Sequence, residues 1–99
     1  DTAWQQQARQ QLLASSTRLQ MLLQQHQLHP AGGCAFFHWI VSPHAAAIHQ
    51  TLAQQRILVR LFDDPLSIRF GLPAHENDWL RLESALMPIS DILSGTQTC

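Results

Sequence analysis

The sequence predicts a small two-layer α/β domain of the α+β type, with a three-stranded mixed sheet and helices mainly on one face of it. A long segment with helical spacing of leucines opens the chain, and two apolar, arginine-bearing stretches flank a turn further on. Two more helical segments lie between and after the strands. At 99 residues the chain suffices for one domain with one core. The predicted order of elements is α-β-α-β-β-α.

The first segment, residues 3–27, predicts one long helix. Its leucines recur on one side of the helix, and its glutamines occupy the solvent-facing side. At 1.5 Å per residue such a helix is about 37 Å long. This is long for so small a domain, so we expect the helix to extend beyond the core and to pack against something else.

A break rich in proline and glycine, residues 29–33, ends that helix. Residues 34–41 then form an aromatic and β-branched run that predicts the first strand. Because large apolar groups occur on both of its faces, we expect it to be covered on both sides, with Phe36, Phe37 and Trp39 in the core.

The second helix is predicted to start at Ser42 and Pro43, with serine as N-cap and proline at the first helical position. It should run to about residue 55. Its spacing directs Ala45, Ile48 and Leu52 toward the core.

The central stretch, residues 57–72, predicts a β-hairpin turning at residues 63–65 (Asp-Asp-Pro). Each strand carries one arginine, Arg60 or Arg69. Since successive side chains alternate between faces, Ile68 and Phe70 should share one face and Arg69 should point to the other. The arginines could meet solvent or the turn aspartates, or they could hold a carboxylate or phosphate together. The residues alone leave both interpretations open.

The last helix follows the Leu-Pro-Ala segment at residues 72–74. Acidic residues favour its N-terminus, and Trp79, Leu82 and Leu86 form its buried stripe. Pro88 should interrupt it.

The predicted topology is a split βαβ unit. The helix between the first two strands permits a parallel, right-handed crossover. The hairpin then returns the third strand between the other two. The face of the sheet away from the helices and the far end of the first helix are predicted docking surfaces.

Composition excludes several functional classes. A net charge of −1 argues against a nucleic-acid partner. No apolar stretch is long enough to cross a bilayer, and the N-terminus does not resemble a signal peptide. Cys34 and Cys99 show no paired spacing, so we expect two reduced thiols in a cytoplasmic protein.

The basic residues are unusual because all six are arginine and there is no lysine. The chain therefore cannot bind a carbonyl cofactor covalently through a lysine of its own. The six histidines show no metal-ligand spacing, so no metal site is predicted. No nucleophile motif is present.

Three stretches carry a resemblance to a known family: residues 56–60 (Arg-Ile-Leu-Val-Arg), residues 68–73 (Ile-Arg-Phe-Gly-Leu-Pro) and residues 76–79 (Glu-Asn-Asp-Trp) with Leu82 and residues 85–86. The opening Asp-Thr-Ala-Trp followed by Arg9 adds to it. The chain resembles the C-terminal small domain of fold-type I, pyridoxal-phosphate-dependent enzymes. Within that group it is most similar to the threonine-phosphate decarboxylases of cobalamin biosynthesis, relatives of histidinol-phosphate aminotransferase.

The resemblance implies that residues 1–99 are a small domain, with residues 1–28 as the interdomain helix, and that the large cofactor-binding domain is absent. It implies that Arg69 binds the substrate carboxylate and that Arg60 helps to hold the substrate phosphate. The parent protein would be a homodimeric, pyridoxal-phosphate-dependent decarboxylase of L-threonine O-3-phosphate, and this chain alone would be inactive. Two alternatives remain, namely the small domain of a histidinol-phosphate-type aminotransferase and a non-catalytic α/β interaction module.

Overall fold

The computed structural model describes residues 2–94, so Asp1 and the predicted thiol Cys99 lie outside the described residues. The elements follow the order α1 (Thr2–Gln25), β1 (Gly32–Cys34), β2 (Phe37–Val41), α2 (Ala45–Gln54), β3 (Arg60–Asp63), β4 (Leu66–Gly71) and α3 (Glu76–Ser94). The strands form one sheet in the order β1-β2-β4-β3. The α/β fold class is confirmed.

The sheet differs from the prediction in strand number and pairing. It has four strands within residues 2–94, and every neighbouring pair is antiparallel, so the prediction of three strands in a mixed sheet is wrong. β2 and β3 do run parallel, but β4 lies between them and is antiparallel to both. The returning strand thus occupies the predicted central position.

The fourth strand arises because residues 34–41 do not form one strand. The chain turns at residues 35–36, and β1 folds back on β2 with Gly33 opposite His38. Gly33 has φ +144°, and a Cβ there would lie 2.4 Å from the Phe37 carbonyl oxygen. Only glycine allows this close approach of the two strands.

The helices pack on the sheet face that carries the side chains of His38, Ile40, Ile68 and Phe70. The predicted core positions of α2 and α3 are all buried, which confirms both helical faces. The apolar core comprises Leu19, Leu22, Leu23, Leu28, Ile40, Ala45, Ile48, Leu52, Ile68, Phe70, Trp79, Leu82, Ala85, Leu86 and Ile89.

Two predicted helix boundaries are wrong. The helix α2 starts at Ala45 with His44 as N-cap, because Ser42 Oγ instead accepts a hydrogen bond from the His44 backbone N–H at 3.0 Å and stabilises a turn before the helix. The helix α3 continues past Pro88 to Ser94. Ile89 is buried directly after the proline, and its packing offsets the helix hydrogen bond that proline cannot donate.

Helix α1 is attached to the rest of the fold only through its C-terminal half. Its buried residues are Ser16, Leu19, Leu22 and Leu23, whereas Trp4 is 67% exposed. The helix therefore extends beyond the core, as predicted. No helix within residues 2–94 is long and apolar enough to span a membrane.

Polar contacts fix the buried half of α1. Both guanidinium nitrogens Nη1 and Nη2 of Arg18 donate to the Glu76 carboxylate, at 3.0 and 2.8 Å, and the guanidinium lies 4.2 Å from the centre of a Trp79 ring. These hydrogen bonds lower the pKa of Glu76. Since the folded-state pKa lies below the unfolded one, this contribution to stability is present above the unfolded pKa and is lost as pH falls through the folded pKa.

Replacing Leu86, which is 0% exposed, with alanine should lower the free energy of unfolding by about 2–4 kcal/mol, because it leaves a cavity at the centre of the core. Leu80→Ala, on the same helix but 53% exposed, is the matched control and should change it by less than about 1 kcal/mol. Chemical denaturation followed by circular dichroism measures both. Equal losses in the two variants would show that Leu86 does not lie in the core.

Replacing Pro88 with alanine should raise the free energy of unfolding by about 1–3 kcal/mol, because it restores an N–H that can donate to the Ser84 carbonyl. Met87→Ala, next to it and 67% exposed, should stay within about 0.5 kcal/mol of the original protein. The same denaturation experiment applies. A loss of stability in Pro88→Ala would contradict a net cost of the missing N–H in this helix.

Candidate functional site

The two arginines singled out by the sequence are direct neighbours in the structure. Arg60 of β3 is paired with Arg69 of β4, and Trp39 of β2 is paired with Arg69 on its other side. Directly paired residues project to the same face of a sheet, with Cβ atoms about 4.5–5.5 Å apart. A row of Trp39, Arg69 and Arg60 therefore crosses three strands on the face away from the helices, which we call the outer face.

The Arg69 guanidinium lies between two aromatic rings. Its central carbon is 4.8 Å from the centre of the Phe37 ring and 6.0 Å from that of Phe62. The electron-rich faces of such rings attract a cation. Arg69 is half-buried whereas Arg60 is exposed, so Arg69 is the more restrained of the two.

Neither Arg60 nor Arg69 forms an ion pair with a carboxylate among residues 2–94. The ion pair in this part of the chain joins Arg18 and Glu76. Asp63 is three positions from Arg60 on the same strand and so faces the opposite side of the sheet. The turn aspartates therefore do not neutralise the arginines. Two cations directly opposite each other destabilise a sheet unless an anion joins them, so this pair is suited to binding an anion.

The arginines line a shallow, open groove of about 340 Å³, bounded by Leu58, Val59, Arg60, Arg69 and Gly71; we call it the arginine groove. A Cβ on Gly71 would meet nothing within 4 Å, so the groove is open at this point. Arginine stays protonated and accepts no hydrogen bond. The groove can therefore bind and orient a carboxylate or phosphate, but its arginines cannot act as a general base.

The outer face also carries large apolar side chains. Val41 and Phe62 are exposed there, and Phe37 and Trp39 are half-buried. Phe36, in the turn before β2, is 66% exposed. The prediction that Phe36, Phe37 and Trp39 belong to the core is wrong, because within residues 2–94 no helix covers this face. Alternation along β3 could have found Phe62, but Phe37 becomes a neighbour of Arg69 only through the register of β2 on β4.

The histidines and Cys34 do not add to this site. No group of three or more potential metal ligands comes together within residues 2–94. His38 is buried, and its Nε2 donates to the Ser16 carbonyl oxygen at 2.9 Å, so it joins α1 to the sheet. Cys34 is an exposed free thiol.

A threonine-phosphate decarboxylase from Pseudomonas aeruginosa is 51% identical to this chain over 76 residues, which are 77% of the chain. The chain is thus related to threonine-phosphate decarboxylases. The match lies in the C-terminal part of that relative, and the chain spans about a quarter of its length, with 23% covered. No protein-family model matches the chain.

The relationship to threonine-phosphate decarboxylases confirms the resemblance drawn from the sequence. The aligned length also shows how much of the decarboxylase this chain corresponds to. Roughly three quarters of the decarboxylase has no counterpart here, and the chain has no lysine.

The aromatic contacts of Arg69 should be visible in its reactivity. With phenylglyoxal, which modifies arginine, we expect Arg60 to react faster than Arg69, because only Arg69 is held between two rings. Phe37→Leu should speed modification of Arg69 about two- to fivefold and leave Arg60 unchanged. Peptide mass mapping over time measures both rates within one molecule. Equal rates in the original protein would contradict the arrangement.

Proposed function

We propose that this chain is the C-terminal small domain of a pyridoxal-phosphate-dependent L-threonine O-3-phosphate decarboxylase, and that its outer face forms one side of the substrate site. The observation that carries the proposal is the cross-strand pair of Arg60 and Arg69 on an uncovered face. The 51% identity to a decarboxylase of that name supports the choice of enzyme.

The proposed substrate matches the two cations in number and kind. L-threonine O-3-phosphate carries a carboxylate on its α-carbon and a phosphate on the oxygen of the adjacent carbon, so both anions lie within one small molecule. We assign the carboxylate to Arg69 and the phosphate to Arg60. Each guanidinium can hold its anion through two parallel hydrogen bonds.

The two arginines differ in a way that fits these roles. The rings of Phe37 and Phe62 restrain Arg69, and a restrained guanidinium fixes the direction of the bound carboxylate. That direction determines which bond of the α-carbon is aligned for cleavage. Arg60 is exposed at the edge strand and can follow the more mobile phosphate.

Pyridoxal phosphate fits the parent protein and not this chain by itself. The cofactor is held covalently by a lysine in enzymes that use it in this way, and this chain has none. When bound, pyridoxal phosphate withdraws electrons from the substrate α-carbon. The large domain would hold it, while this chain binds the substrate and orients its carboxylate.

The apolar outer face supports a second part of the proposal. Phe36, Trp39 and Phe62 would pack near the large domain of the same protein, which would close the open side of the arginine groove. The exposed half of α1, with Trp4, would bridge the two domains. We propose a cytoplasmic homodimer for the parent enzyme, and we expect the isolated chain to release no carbon dioxide.

Replacing Arg69 with glutamine in the full-length parent should lower kcat/KM for carbon dioxide release from L-threonine O-3-phosphate by about 30- to 3000-fold, because it removes one partner of a desolvated, charge-assisted pair. Arg69→Lys should recover only part of the loss, since lysine cannot make the paired hydrogen bonds. Gln50→Glu makes the same change in net charge on the exposed surface of α2 and is the matched control. Its rate should be unchanged.

Two results would contradict this proposal. Unchanged turnover in Arg69→Gln would remove the arginine from the site. No carbon dioxide release by the parent, together with amino transfer from histidinol phosphate to 2-oxoglutarate, would assign the protein to the aminotransferases instead.

A further inference from the structure

A second cleft, of about 230 Å³, lies next to the arginine groove and shares Leu58, Val59 and Gly71 with it as a common wall. Its remaining lining comes from the segment after α2, the end of β4 with the segment that follows it, and the first turns of α3. The lining includes Arg56, Phe70, Asp78, Arg81 and Leu82. We call it the second cleft.

The cleft forms because the hairpin strands are not paired over their whole length. The last pair on this side is Arg60 with Arg69, and residues 57–59 and 72–73 beyond it are not in strands. Helix α3 closes the third side with residues 78, 81 and 82. Phe70 and Leu82 at its base are core residues, so the packed interior fixes the base of the cleft.

Two cations lie at the rim on different elements. Arg56 follows α2 and Arg81 belongs to α3, both are exposed, and neither is in an ion pair within residues 2–94. The one acidic residue of the lining, Asp78, accepts a hydrogen bond from the His75 backbone N–H through Oδ2 at 3.2 Å. The lining therefore has a formal charge of +1 over an apolar base.

Arg56 is in a conformation that arginine rarely adopts. Its φ is +62°, in the left-handed region, where a residue with a Cβ costs about 1–2 kcal/mol. Its backbone N–H donates to the Ala53 carbonyl at 2.9 Å, which closes the end of α2. Glycine would adopt this backbone conformation without strain. An arginine at position 56 therefore makes the fold less stable than a glycine would.

We propose that the second cleft binds a small organic anion, with its carboxylate or phosphate held by Arg56 and Arg81 and its apolar part against Phe70 and Leu82. A volume of about 230 Å³ is below the usual range for drug-sized ligands, so the ligand has only a few carbon atoms. The proposal does not rest on the proposed function, because it uses neither Arg60 nor Arg69.

The test uses n-butyl phosphate as the probe and nuclear magnetic resonance of the arginine side-chain Nε–Hε groups. The 99-residue protein has six arginines, so each signal can be assigned by substitution. We expect saturable shifts at Arg56 and Arg81. Signals that do not move, or that also move with 1-butanol, would overturn the proposal.

Two variants and two controls locate the binding. Arg81→Gln and Arg56→Gly should each weaken binding of butyl phosphate roughly tenfold, the usual effect of losing one charge-assisted hydrogen bond. Arg56→Gly also relieves the left-handed backbone, so loss of folding cannot explain its effect. Arg9→Gln on the exposed part of α1 and Gln50→Glu on the exposed surface of α2 make the same change in net charge elsewhere and should leave the affinity unchanged.

Two further outcomes would overturn the assignment. If Arg60→Gln weakened binding as much as Arg81→Gln, the anion would lie in the arginine groove and not in the second cleft. If inorganic phosphate bound as tightly as butyl phosphate, the apolar base would play no part and the ligand class would be wrong.

Discussion

The alternation of side chains along β4 determines both the stability of this domain and the position of its candidate site. Ile68 and Phe70 are buried under the helices, and this fixes which face of the strand points inward. Arg69 between them must then face outward. A shift of one residue in register would place a guanidinium in the core, where an unpaired charge is strongly destabilising. The same packing that holds the fold together therefore holds the arginine in place.

Much of this could be predicted from the sequence because the signals are local. Helical spacing located the buried faces of α2 and α3, and strand alternation separated Ile68 and Phe70 from Arg69. The wrong predictions arise where tertiary packing outweighs a local sequence signal. Pro88 is a strong local break, yet burial of Ile89 on its far side continues the helix. The turn at residues 35–36 consists of alanine and phenylalanine, which are not turn residues, and it depends on a glycine at position 33.

The candidate site was only partly accessible from sequence. Two arginines on adjacent strands suggested a pair, but direct pairing requires the register of β3 on β4. The contact of Arg69 with Phe37 joins residues from different parts of the chain, so no spacing could indicate it. The same holds for the second cleft, because Arg56 and Arg81 line one cleft only after α2 and α3 have packed. The sequence therefore predicted which residues carry charge, and the tertiary structure determined how they combine.

The attachment of α1 at one end has a mechanical consequence. The fold holds this helix from Ser16 onward, and the preceding residues project for about 20 Å. Arg18 and His38 act close to the point of support, through Glu76 and Ser16. A tilt of about 5° there would move Trp4 by about 2 Å at this helical rise. The helix therefore converts a small rotation near the sheet into a larger displacement at its N-terminal end.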